Sequence, residues 1–190
     1  YKWCASKVEP YTDKFYPTLP LRGDFLKNIY KINENKIELL VLGVDNTNVN
    51  YKDRVKISKQ IRKELNIKTN NFVIITGGKI DIRKKITNLM AVIADLNNKE
   101  IKLIVFGSTN TQTKEEVKKY SKNINIIFIP WIEPENIYKY FFASDLAFFP
   151  GTHSVLWEEA VGLGLPCVFK KWVGIDHIDL GGNCLFVKNG

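Results

Sequence analysis

The sequence predicts a doubly wound α/β domain, a Rossmann-like parallel sheet flanked by helices. Three observations lead there. Short apolar runs rich in Ile, Val and Phe alternate along the chain with longer stretches of helical spacing. The runs lack the polar alternation of a half-exposed sheet, so their strands are buried on both faces, as helices covering a parallel sheet require. At 190 residues and 45% hydrophobic content, the chain holds enough apolar material for one core without disulfide staples.

Residues 1–21 carry Pro10, Pro17 and Pro20 and keep no sustained period of 2 or 3.6, which predicts a linker or the edge of a separate N-terminal domain. Residues 22–190 are then the domain proper. Apolar runs predict strands at 37–43, 72–76, 101–107, 124–129, 146–150, 166–169 and 184–187. Apolar residues at i, i+3, i+4 and i+7 predict amphipathic helices over 54–65, 84–96, 114–120, 134–142 and 154–163.

Charge and cysteine usage narrow the function classes. There are 28 Lys plus Arg against 20 Asp plus Glu, a net charge of +8. The densest groups, Arg83-Lys84-Lys85 and Lys118-Lys119, fall in helical segments, where a solvated face is expected. A nucleic-acid partner is not expected, because it calls for a contiguous basic patch. Cys4, Cys167 and Cys184 are an odd set without CxxC spacing, which argues against a disulfide scaffold or zinc knuckle and for a reducing, cytoplasmic setting. No apolar run approaches the roughly 18 residues of a spanning helix, and no export signal opens the chain. The start at Tyr1 and the stop just after a strand-like run suggest a fragment of a longer protein.

In a doubly wound sheet, ligands bind outside the carboxyl ends of the strands, so the loops there carry the candidates. After 72–76 come Gly77, Gly78 and Lys79, then Lys84 near a helix start. Glycines let backbone amides approach an anion, and the lysines can meet phosphate oxygens. The spacing is neither GxGxxG nor GxxxxGK[ST]. A second loop, Gly151-Thr152-His153-Ser154-Val155, leads into a helix whose first amides suit a pyrophosphate. Glu158 and Glu159 follow, about 100° apart on that helix, so at most one faces the cleft. A third loop offers Trp131 and Ile132 as a plane and backbone groups for a nucleobase. The run Asp176-His177-Ile178-Asp179 has a metal-like look, but no second histidine stands near it in sequence, so no metal is expected.

With these loops placed, the sequence resembles the C-terminal, nucleotide-sugar-binding half of a GT-B-fold glycosyltransferase of the group 1, or family four, type. "RGDFLKNIYKINENKIELLVLGVD" (22–45) is similar to the family's first helix, strand and turn, and "FVIITGGKIDIRKK" (72–85) to its phosphate clamp. "IKLIVFGS" (101–108) and "INIIFIPWIEPENIYKYFFASDLAFFPG" (124–151) resemble the central stretch. "EEAVGLGLPCV" (158–168) and "HIDLGGNCLFV" (177–187) resemble the closing motifs.

The resemblance implies roles. Lys79 and Lys84 would neutralise the donor's diphosphate as it leaves, and Glu159 would bind the ribose hydroxyls. Amides around Gly151, Thr152, His153, Ser154 and Val155 would seat the diphosphate, and Trp131 and Ile132 would flank the base. It implies no metal and no cofactor beyond the nucleotide-sugar donor. The acceptor, a glycan or lipid-linked glycan of a bacterial surface polysaccharide, would be held by an N-terminal domain, with peripheral contact to the inner membrane face. Two positions depart from the family. Eight residues before Glu159, where the family's E-x7-E places its first Glu, stands Gly151, and Lys79 replaces an arginine and its bidentate fork. A GT-B-fold epimerase and a non-catalytic nucleotide-binding module remain alternatives.

Overall fold

The computed structural model describes residues 1–188, so 189–190, the end of the expected donor-binding unit, lie outside the described residues. Every apolar run from Phe72 onward becomes a strand. These are β1 (Phe72–Gly77), β2 (Ile101–Phe106), β3 (Ile126–Ile129), β4 (Leu146–Phe149), β5 (Cys167–Lys170) and β6 (Cys184–Val187). All neighbours pair in parallel, in the order β3-β2-β1-β4-β5-β6. The chain builds outward from β1 to β3, returns, and continues on the other side of β1 with β4. The switch point therefore lies between β1 and β4.

Successive side chains of a strand point to opposite faces, and here each face has its own core. Val73 and Ile75 join Ile104, Ala147, Phe149, Trp157 and Phe169 on one side. Ile74 joins Leu103, Val105, Ile86 and Met90 on the other. The first side is covered by α3 (Arg54–Glu64), α6 (Ile137–Phe142) and α7 (Leu156–Gly162), the second by α4 (Ile86–Leu96) and α5 (Lys114–Tyr120). Trp157 stacks on Phe169 with centroids 4.3 Å apart, fixing α7 against β5. Arg62 of α3 donates to the carbonyls of Ala143 and Asn71 and pairs with Asp145 at 2.7 Å, tying α3 to the start of β1 and β4. Among the described residues no helix is long and apolar enough to cross a membrane.

Helix starts differ from the spacing-based expectation for local reasons. Asp81 accepts from the amides of Arg83 and Lys84, closing a 3-10 turn, and Lys85 at φ 53° resets the chain, so α4 begins at Ile86 and not at 84. Pro134 opens another 3-10 turn, which delays α6 to Ile137. Helix α7 begins at Leu156, two residues late.

The expected strand at 37–43 does not form. Ile37 makes a single bridge to Phe15, and Leu40 donates to the Pro17 carbonyl, but no strand lies alongside the rest. Leu39 to Leu42 stay between 37% and 52% exposed. An apolar run fixes the tendency to extend; a ladder also needs a neighbour. Upstream, Lys2–Val8 is α1 and Pro20–Asn28 is α2, with Pro20 at the first helical position, where its missing N–H costs nothing. Helix α2 runs across the expected boundary at 21/22.

Candidate functional site

The loops after β1 and β4 flank the switch point, and the structure welds them together. Gly78 takes φ +106°, open to glycine and strained for other residues, while its amide donates to the Phe106 carbonyl. Gly77 lies so close to Phe106 that a Cβ would meet its ring at 2.5 Å. Across the crevice, Gly151 is buried against the backbone of Arg83 and Lys84, where a Cβ would meet their atoms at 2.3 Å. The Thr152 amide donates to the Arg83 carbonyl, and the Lys84 ammonium donates to the carbonyls of Thr152 at 2.8 Å and His153 at 2.7 Å. Burial lowers the Lys84 pKa from its ordinary value.

These contacts sort the expected phosphate groups. Lys79 is exposed on the rim and pairs with no carboxylate among the described residues, so its charge faces the crevice unspent. Lys84 is engaged in holding the second loop. The Thr152 amide is spoken for, whereas those of His153, Ser154 and Val155 have no backbone acceptor among the described residues. Position 151 has no room for a side chain, so no replacement for the family's first Glu can act from there.

A cavity of about 320 Å³ opens between the loops, lined by Gly78, Lys79, Trp131, Ile132, Ser154 and Val155 among others. Lys79 and the exposed Trp131 sit on the same crevice, as the sequence suggested, and Trp131 Nε1 donates to Glu133 at 3.1 Å. Pro134 separates this cavity from a second, also about 320 Å³, lined by Glu159 together with Asp45, Asn48, Glu135 and Tyr138. Burial alone pushes the Glu159 carboxyl up to about 7. Ionising this half-buried carboxyl is costly, since no hydrogen bond or ion pair to it is present among the described residues.

Glu158, as its angle to Glu159 required, faces elsewhere. Its Oε1 accepts from His153 Nε2 at 2.7 Å and from His177 Nε2 at 3.1 Å. Burial pushes this carboxyl up, but the two imidazoles outweigh it and hold it below the usual carboxylate value. His153 therefore does not line the first cavity, and His177, with no histidine near it in sequence, has one in space. Sequence reasoning missed this cluster because its members come from two loops and a helix. It also missed Gly107, which bounds the same cavity and whose Cβ would fall 1.9 Å from the Gly78 carbonyl oxygen. A glycine directly after a strand was the available signal.

The family model of glycosyl transferases group 1 matches residues 57–175, more than half of the chain. No curated protein matches the sequence. Among solved structures, the chain is similar to WaaG, a glycosyltransferase involved in lipopolysaccharide biosynthesis, at 16% identity and TM-score 0.71, covering 93% of this chain and 49% of that one. It is similar to a glycosyltransferase from Rickettsia africae ESF-5 at 14% identity and TM-score 0.69, covering 96% and 52%. Anabaena Alr3699/HepE, solved in complex with UDP and glucose, matches at 18% identity and TM-score 0.73, covering 100% and 53%. The chain thus spans about half the length of these structures and shares the Rossmann-like fold of one half of GT-B enzymes. Fold and family model point the same way, and the chain belongs to the glycosyl transferases group 1 family.

Proposed function

We propose that this chain is the donor-binding domain of a glycosyltransferase, taking a nucleoside diphosphate sugar into the crevice between the β1 and β4 loops. The observation that carries the reading is the convergence at one switch point of a lysine and loop amides that have no partner among the described residues, an aromatic rim and a desolvated carboxylate. The diphosphate meets Lys79 and the amides of His153, Ser154 and Val155. The base lies against Trp131 and Ile132. The ribose hydroxyls donate to Glu159 in the adjoining cavity. Lys84 acts on the phosphate by holding the loop that bears those amides.

In transfer, the bond between the sugar's anomeric carbon and the diphosphate oxygen breaks, and an acceptor hydroxyl bonds to that carbon as its proton leaves to a base. Charge collects on the departing diphosphate, where a fixed cation and aimed N–H groups stabilise it more than in the ground state. No metal is required at the phosphates in this scheme. The acceptor and the base come from an N-terminal domain across the crevice, joined through the residues before α2, so that the donor unit starts at α2 and not at residue 22. HepE, a structural relative, was solved with UDP and with UDP-glucose, which supports this donor class. WaaG's role in lipopolysaccharide biosynthesis and the net charge of +8 support a bacterial surface-glycan acceptor at the cytoplasmic membrane face.

Calorimetric titration with UDP, GDP, ADP, CMP and dTDP tests the reading. Selective binding of one nucleoside diphosphate, weakened by Lys79→Ala, is the expected result. Equal indifference to all five overturns it.

A further inference from the structure

The geometry points to a second site in this chain, a divalent transition-metal site formed by His153, Glu158 and His177. The three side chains offer two imidazole nitrogens and one carboxylate oxygen, all within 4.8 Å of one another. Their side chains are 13%, 2% and 7% exposed. Two imidazoles with a carboxylate are the donor set that suits Zn²⁺, and imidazole excludes the hard cations Mg²⁺ and Ca²⁺ as preferred occupants. Metal–ligand bonds of about 2.0–2.1 Å in a tetrahedron separate ligand atoms by about 3.3 Å. The present 2.7 and 3.1 Å spacings to Glu158 Oε1 need widen by about 0.6 and 0.2 Å, and the two imidazole nitrogens, within 4.8 Å of each other, must settle to the same spacing.

The surroundings support an ion over a finished hydrogen-bond triad. The buried side-chain atoms without a protein partner include Glu158 Oε2 and His177 Nδ1, two atoms of the cluster itself that can offer a lone pair to a cation. A triad built for hydrogen bonding alone leaves one carboxylate oxygen doubly used and the other idle, a costly arrangement in a buried site. An ion bound by the two imidazoles and one carboxylate oxygen leaves a fourth position for water.

The site lies behind the diphosphate loop, outside the lining of either crevice cavity. Its ion is accordingly structural, tying His177 of the 171–180 segment and Glu158 of α7 to His153 of the loop, and it takes no part at the phosphates.

The test uses tag-free protein stripped with EDTA, with Zn²⁺ binding measured by metal analysis and by competition with a chromophoric chelator. One Zn²⁺ per chain, with a dissociation constant below about 1 µM and unaffected by millimolar Mg²⁺, is expected. Glu158→Gln, which keeps the shape and one acceptor oxygen but removes the charge, and His177→Gln should each weaken it at least tenfold. Co²⁺ should give visible ligand-field bands without a near-ultraviolet thiolate band. Substoichiometric binding, unchanged affinity in a folded Glu158→Gln protein, or a thiolate band pointing to the cysteines would each overturn the assignment.

Discussion

Lys84 reaches from the β1 side of the crevice to the His153 carbonyl on the β4 side, 2.7 Å away, and takes the Thr152 carbonyl at 2.8 Å with the same ammonium. One cation so fixes the loop that carries the free amides. Lys79, five residues earlier in the chain, pairs with no carboxylate among the described residues and keeps its charge for whatever enters.

This division predicts different signatures for the two lysines. Lys84→Ala should lower stability by about 1 to 2 kcal/mol, as expected for lost charge-assisted hydrogen bonds, and weaken nucleoside diphosphate binding more than about tenfold, roughly 1.4 kcal/mol. Lys79→Ala should weaken binding comparably while leaving stability within about 0.5 kcal/mol. Urea unfolding and calorimetric titration of both variants check this. Equal stability losses would refute the division.

Gly151 fills the place of the family's first Glu because the Arg83 and Lys84 backbone leaves no room there. Gly151→Ala should therefore cost about 1 to 3 kcal/mol by overpacking, and Gly151→Glu should be worse without gaining donor affinity. A Gly151→Glu protein that is stable and binds a nucleotide sugar more tightly than wild type would show that the loop yields.

Glu159 makes stability depend on pH in a stated direction. Its carboxyl is raised from 4.5 to about 7 by burial. Between these values the unfolded chain has lost the proton and the folded chain keeps it, so the cost of ionising is absent below 4.5, grows through the window and is complete above about 7. Glu159→Gln should thus be more stable than wild type at pH 8, by about 1 to 2 kcal/mol allowing for partial exposure, and equal at pH 4.5. The same variant should lose affinity for nucleotides but not for pyrophosphate. Unfolding curves at the two pH values and paired titrations decide it.

The cysteines report on packing. Burial pushes the Cys167 thiol up to about 12 and the Cys184 thiol up to about 11. At pH 8 a thiol reagent should label the exposed Cys4 quickly, Cys184 slowly and Cys167 only on unfolding. Fast native labelling of Cys167 would contradict its place in the core.

The sheet was legible because strands buried on both faces need continuous apolar runs, as in β1 and β2, and those runs have few other uses. The segment 37–43 has the same composition and no ladder, since pairing depends on a neighbour that composition does not encode. Boundaries moved where one residue decides, as at Lys85 with its left-handed backbone. Gly78, Lys79, Trp131 and Ile132 line one cavity, and each stands shortly after a strand, a position the sequence displays; Gly77 closes β1 itself. The Glu158 cluster was not, because His177 lies 19 residues from Glu158 and only the fold brings them together. Nor does a sequence show that Lys84 spends its charge on two carbonyls.

The most direct test of the central claim is an amide chemical-shift map of the 15N-labelled domain titrated with the best-binding nucleoside diphosphate. The account predicts perturbations concentrated at 77–80, 131–132, 153–156 and 159, saturating with a single dissociation constant. Perturbations centred away from the β1/β4 switch point, for example over α1 and α2, would contradict it.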